Sequence, residues 1–244
     1  MNMKKILLLF ITMIFLGGSL MAQSRAYGVK GGLTIGTQKW GNFEQDPLFS
    51  YHGALSIESV SEANSFRLFA QLGYHSKGSA WRNVQFRNFG SNNVSVVTRK
   101  FKFENIALVL GFKNNFKETD NYSLYYLFGI RGDYNVRTNL KEYEEQNAFF
   151  GAPIYPFDEA VRKITYGATL GGGFQFPFTD YVSGIVEVTI SPDFSDQYRQ
   201  GAFNGTVFQN GAPVARSFAE RKIRNLVFEV SVGFRFLHKI EYVD

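Results

Sequence analysis

Residues 122–136, YSLYYLFGIRGDYNV, alternate so regularly that an extended strand is the conformation that fits them. Tyr122, Leu124, Tyr126, Phe128, Ile130, Tyr134 and Val136 fall on one side, whereas Ser123, Tyr125, Leu127, Gly129, Arg131, Asp133 and Asn135 fall on the other. Successive strand residues point to opposite faces, so one face is greasy and the other mixed and charged. A soluble core would take in Arg131 and Asp133 only at great cost. A half-buried strand of a soluble sandwich shows the same alternation, so the remaining segments must decide which solvent each face meets.

Seven further segments share the dyad pattern. Strand 1, AYGVKGGLTIG, sets Tyr27, Val29, Leu33 and Ile35 against Gly28, Lys30, Gly32 and Thr34. Strand 2, FSYHGALSIE, sets Phe49, Tyr51, Leu55 and Ile57 against Ser50, His52, Ser56 and Glu58. Strand 3, FRLFAQLGYHSK, places Arg67, Gln71, His75 and Lys77 opposite Leu68, Leu72 and Tyr74. In strand 4, FKFENIALVLGF, the apolar phase slips near Glu104 and Asn105, which predicts a β-bulge. The opening stretch is strand 5. ITYGATLGGGFQFPF, YVSGIVEVTIS and NLVFEVSVGFRF supply strands 6 to 8, with Glu187, Glu229 and Arg235 on the polar faces.

The connections alternate between long and short. Segments 37–48, 78–97, 138–163 and 191–222 are long, and those near 61–65, 114–121 and 177–180 are short. Outer-membrane barrels have an even strand number, long outer loops and short periplasmic turns. The expectation is therefore an all-β, eight-stranded, antiparallel, up-and-down transmembrane β-barrel. Its greasy face meets lipid and its charged face lines the interior.

The start of the chain agrees. MNMKKILLLFITMIFLGGSLMAQS has Lys4 and Lys5, an apolar run from Ile6 to Leu16, then small residues, which is the order of a secretory signal. That run is too short for a spanning helix of about 20 residues. Residues 1–22 are expected to be a cleaved signal and 23–244 a single outer-membrane barrel domain. The chain has no cysteine, hence no disulfide framework and no lipid-acceptor thiol. Without Lys4 and Lys5 the 26 basic residues become 24 against 21 acidic, a formal +3 that implies no nucleic-acid partner. The 24 glycines and the 17% aromatic content suit a membrane barrel.

YGVKGGLTIG, FENIALVLGFKNNF, LYYLFGIRGDY, YGATLGGGFQF and the closing VSVGFRF resemble, in order, the small PorT-like outer-membrane β-barrel proteins of the Bacteroidota. The resemblance spans residues 25–236 and implies the barrel fold, membership in some cases of a secretion and gliding apparatus, and no catalytic motif. Two departures stand out. Asn105-Ile106 replaces a frequent proline, and LHKIEYVD continues past Phe236.

Lys30, Glu58, Arg67, Arg131, Asp133, Glu187, Glu229 and Arg235 fall on interior faces and are expected to form a charge network filling a narrow lumen. His52 and His75 face inward on neighbouring strands. Pairing in which numbers sum to 127 sets them opposite each other, whereas a sum of 125 pairs Glu58 with Arg67. A metal site wants three or four ligands and no third appears, so no metal or cofactor is expected. Ser50, His52 and Glu58 share a face, but Glu58 lies about 20 Å from His52 at strand rise. No catalytic triad is visible and no enzymatic activity is expected.

The segment NAFFGAPIYPF offers Phe149, Phe150, Ile154, Tyr155 and Phe157 either to a partner protein or to the barrel rim. The expected role is a non-pore subunit or scaffold of an envelope complex, of secretion or membrane-biogenesis type, in contact with outer-membrane lipid and other envelope proteins. The alternatives are a stand-alone adhesive or protective surface barrel and a lipid-modifying enzyme.

Overall fold

The computed structural model describes residues 24–40, 45–60, 65–87, 94–150, 154–209 and 212–239. The proposed signal segment lies outside these residues. Eight long strands follow one another around a ring: β1 Ser24–Trp40, β2 Asp46–Val60, β3 Phe66–Arg87, β4 Val94–Thr119, β5 Tyr122–Thr138, β6 Ile164–Pro177, β7 Val182–Pro192 and, last, β11 Arg221–His238. Each neighbouring pair is antiparallel, and β11 returns to β1 along its whole length, from Arg25 opposite His238 to Trp40 opposite Ile223. The ring is closed, so neither edge strand is left open.

The faces are inside out relative to a soluble barrel. On β5 every second residue from Ser123 to Asn135 is buried, while Tyr126, Phe128, Ile130 and Tyr134 are exposed. Each ring strand contributes to an outward girdle: Leu33, Leu55, Leu72, Leu108, Ile130, Leu170, Val188 and Val230 are between 43% and 63% exposed. Arg131, Asp133, Glu187 and Glu229 are buried inside. Water would make such a continuous apolar belt untenable, and hydrocarbon makes it favourable. Only helices and closed barrels satisfy their backbone in lipid. No helix among the described residues is long and apolar enough to cross; the crossing is made by strands.

Several connections differ from the sequence expectation. Segment 78–97 is mostly strand: β3 spans 22 residues and β4 spans 26, paired out to Arg87 opposite Val94. A membrane-crossing strand needs only about 9–11 residues, so this hairpin stands beyond the bilayer, where ladder bonds still satisfy the backbone. Segment 37–48 likewise shrinks, because β1 runs to Trp40 and β2 starts at Asp46. Segment 191–222 holds three short strands. β8 (Tyr198–Gln200) pairs with β11, and β9 (Phe203–Gln209) with β10 (Ala212–Phe218) forms a separate hairpin. Helix α1, Glu144–Phe150, lies in the β5–β6 connection.

A register shift does fall between Glu104 and Asn105, against β5. Its consequence differs from the expected change of face. Phe101, Phe103, Asn105, Ala107 and Val109 are all buried, and Ile106, Leu108 and Leu110 are all exposed. Phe101 and Phe103 point inward; the extra residue sits on β5 at Val136, skipped between Asn135 and Arg137.

Candidate functional site

The lumen is filled by two ionic clusters. Nearer the short-turn end, Glu58 and Glu187 gather the cations. Lys113 Nζ lies 2.5 Å from Glu58 and 3.6 Å from Glu187, and Arg235 Nε lies 3.2 Å from Glu58. Arg67 approaches Glu58 at 4.0 Å, and Lys30 pairs with Glu187. The Tyr125 hydroxyl donates to Glu187 over 2.8 Å. Its ring crosses the lumen above Gly173, where any Cβ would strike it. Four cations face two carboxylates, and Lys113 also lies over the rings of Phe69 and Tyr125, at 5.4 and 5.0 Å. Ring faces carry negative potential and offset part of the excess.

The second cluster lies towards the long-connection end. Lys77 Nζ donates to Asp133 over 2.7 Å and to Asp193 over 2.8 Å. Arg131 donates from Nε to Asp133 over 3.0 Å and from Nη2 to Asp193. The His75 ring bridges Glu229 and Asp133, each nitrogen 3.0 Å from a carboxylate oxygen. Ionised carboxylates only accept, so both nitrogens donate and His75 is a third cation opposite three carboxylates. Buried charges persist only when paired and hydrogen-bonded in this way.

All eight charged residues singled out in the sequence line this interior. Lys77, Lys113 and Asp193 were missed as members of the network. Parity carried the signal in each case: Lys77 shares the face of His75, Lys113 that of Val109, and Asp193 that of Glu187 and Thr189. His52 and His75 are opposite each other, in the register whose numbers sum to 127. His52 is held by the Thr34 hydroxyl at 3.0 Å and the Ser231 hydroxyl at 2.8 Å. Among the described residues no carboxylate hydrogen-bonds to it, and Ser50 donates elsewhere, to the Ser76 carbonyl. Among the described residues no group of His, Asp and Glu side chains is arranged to hold a metal.

Above the ions the chemistry changes. Trp40, Phe101, Phe103, Leu140, Tyr143, Tyr155, Tyr198 and Ile223 form a buried cluster, with Trp81 and Ile154 packed against it. Gln38 joins the two regions: it accepts from Trp40 Nε1 over 2.9 Å and donates to Asn225, which donates to Asp193. Of the two alternatives for the 147–157 segment, the cap takes Tyr155 and Ile154 onto the barrel rim. Tyr155 is fully buried beside Tyr143, at 5.1 Å between ring centroids, and its backbone is clasped by Asn147. Ile154 packs inward and Phe157 is half-buried. An aromatic-lined mouth buries apolar side chains that water would otherwise surround. Phe149 and Phe150 end α1, and their side chains lie outside the described residues. Burial pushes the Tyr143 phenol above its ordinary pKa.

A polar, ion-filled interior inside an apolar girdle on a closed ring is the arrangement of bacterial outer-membrane proteins. The chain is an integral outer-membrane β-barrel. No protein-family model matches it, and no curated protein sequence matches it. Solved structures of similar shape include a major outer membrane protein from Thermus thermophilus, at 11% identity and a TM-score of 0.45, covering 88% of this chain and 99% of that one. The outer membrane protein OprG from Pseudomonas aeruginosa stands at 9% identity and 0.44, covering 89% and 98%. The outer membrane protease OmpT from Escherichia coli stands at 9% and 0.42, covering 89% and 98%. Likenesses at this level add nothing to what the ring itself establishes, and they do not decide activity.

Proposed function

We propose that this barrel is a non-conducting, non-enzymatic subunit or scaffold of an envelope protein complex, of the PorT-like kind, exported by a cleaved signal at residues 1–22. The observation that carries the proposal is the filled interior. The cavity between the ionic clusters measures about 20 Å³, room for about one water, and the aromatic cap lies beyond it. A barrel filled in this way works by its surface. The 138–163 connection folds largely inward, which moves the partner surface to the β9–β10 hairpin. Both outer edges of that hairpin are unpaired among the described residues, and Phe203 and Val214 are 38% and 41% exposed. A two-stranded hairpin is marginal in water, and open edges invite a further strand or a covering surface.

The test is to replace residues 203–218 with a short Gly-Ser turn and purify in mild detergent. The expected outcome is a barrel that still migrates faster unheated than heated, while an envelope protein that co-purifies with the native chain is lost. An unchanged set of co-purifying proteins overturns the hairpin assignment. If the native chain brings down none, the stand-alone surface reading replaces the complex. Large, stable current steps in planar bilayers would contradict the non-conducting part.

A further inference from the structure

Beyond the lumen and the hairpin, the outer wall carries a basic cleft of about 680 Å³ where β4 continues past the end of β5. Its lining includes Arg99, Lys100, Lys102, Arg137 and Lys141, against only two acids, Glu104 and Glu142. Glu104 is already spent in a two-pronged pair with Arg137, both contacts at 3.0 Å. Among the described residues, no carboxylate pairs with the ammonium groups of Lys100, Lys102 or Lys141. Three basic residues elsewhere on the same rim are neutralised: Arg199 and Lys222 share Glu220, and Arg224 holds Asp196 at 2.6 Å.

The cleft is held in shape by the backbone. Asn139 accepts from the Lys102 amide over 2.8 Å and donates to the Lys100 carbonyl over 2.7 Å. The Tyr143 hydroxyl donates to the same Lys100 carbonyl over 2.8 Å. The β5–β6 connection is thereby stapled to the exposed edge of β4, and the lysines project from a fixed wall.

Its height on the barrel identifies what it meets. Tyr74, Ile106, Tyr134 and Ile164 lie opposite one another in one row across four strands, all exposed, with tyrosines at the girdle's edge. The next outward row is Glu104 opposite Arg137, followed along β4 by Lys102 and Lys100. At about 3.3 Å per residue and a tilt near 40°, Glu104 to Lys100 cover about 10 Å of height. That range contains the polar headgroup layer above the hydrocarbon, about 5–8 Å thick.

We infer that this cleft binds a phosphate group on the sugar headgroup of an outer-leaflet glycolipid, whose acyl chains lie along the girdle beneath. Lysine ammonium groups suit phosphate as strongly hydrated point charges, and desolvation beside the wall strengthens the contact. The inference rests on the long connections facing outward, and it is independent of any partner at the hairpin.

The test uses the full chain in detergent, loaded with lipid A carrying two phosphates and followed by native mass spectrometry. The native chain should retain this lipid at least ten-fold better than a Lys100→Gln, Lys102→Gln, Lys141→Gln variant. A charge-matched control, Lys39→Gln, Lys163→Gln, Lys222→Gln, should retain it like the native chain. Lipid A stripped of phosphate, offered to the native chain, should be retained no better than by the triple variant, a comparison that needs no mutant to fold. Equal retention of the stripped lipid, or equal retention by the triple variant, overturns the proposal. Displacement of the bound lipid by millimolar inorganic phosphate also overturns it, since the cleft would then read a free anion.

Discussion

The lumen and the cap are both interior, yet they exclude water by opposite means. Between the girdle strands the inside is closed by Glu58, Glu187, Asp133, Asp193 and Glu229 with their cations. At the long-connection end it is closed by Trp40, Phe101, Phe103, Tyr143, Tyr155 and Tyr198. Inward parity is common to the strand residues of both, while Tyr143 and Tyr155 enter the cap from the β5–β6 connection. Height separates them: within the bilayer the outward positions take the apolar side chains, whereas beyond it the mouth gains by burying rings. Parity along a strand tells which side a residue faces, and position relative to the membrane tells what chemistry suits that side.

The comparison is broken most strongly from the lumen. Glu58→Ala leaves Glu187 alone against Lys30, Lys113, Arg67 and Arg235, with an uncompensated buried charge costing about 3–5 kcal/mol. Urea unfolding of the barrel in lipid vesicles should show that loss. The chain's two tryptophans, Trp40 and Trp81, both belong to the cap region. Folded-state tryptophan emission should therefore be unchanged in this variant, and a shifted emission would mean that lumen and cap are not separable.

On the girdle the expected cost is somewhat smaller. Val230→Arg places a charge against hydrocarbon near the bilayer midplane, at about 2–4 kcal/mol. The same change at Val214, exposed on the hairpin beyond the membrane, should leave folding yield unaltered. Equal losses at both positions would contradict the boundary drawn between wall and hairpin.

How much of this could be read beforehand follows the same boundary. The eight ring strands, their faces and their order were legible because lipid on one side and a polar lumen on the other give an unbroken dyad signal, clearest at Tyr122–Val136. The lumen network was partly legible. Arg131 and Asp133 stood out against greasy neighbours, but Lys113 and Asp193 lay just past the expected strand ends and were passed over. The cap was not legible. Phe101 and Phe103 break the polar rule for inward positions, and without the height of the membrane they resemble lipid-facing residues. Tyr155 was left open for a related reason: an apolar loop reads the same whether it meets a partner or its own rim.

The smallest effects sharpen the account of the cap, and two tyrosines there separate packing from hydrogen bonding. The Tyr143 hydroxyl donates to the Lys100 carbonyl over 2.8 Å and lies 3.2 Å from the Lys100 amide, tying the β5–β6 connection to β4. Tyr143→Phe removes those contacts and should cost about 1 kcal/mol. The Tyr155 hydroxyl, by contrast, is buried with no hydrogen-bond partner among the described residues. Its ring is in van der Waals contact with the cluster while its oxygen gains nothing, so Tyr155→Phe should be neutral or slightly stabilising. Trp40 and Trp81 report directly on this region, so urea titration followed by their emission resolves the difference. A shift to lower urea for Tyr143→Phe, and none for Tyr155→Phe, would show that the connection is fastened at Tyr143 and merely packed at Tyr155. Matching shifts would mean that the Tyr155 hydroxyl has a partner after all, and the cap would then be held by hydrogen bonds on both sides of the mouth.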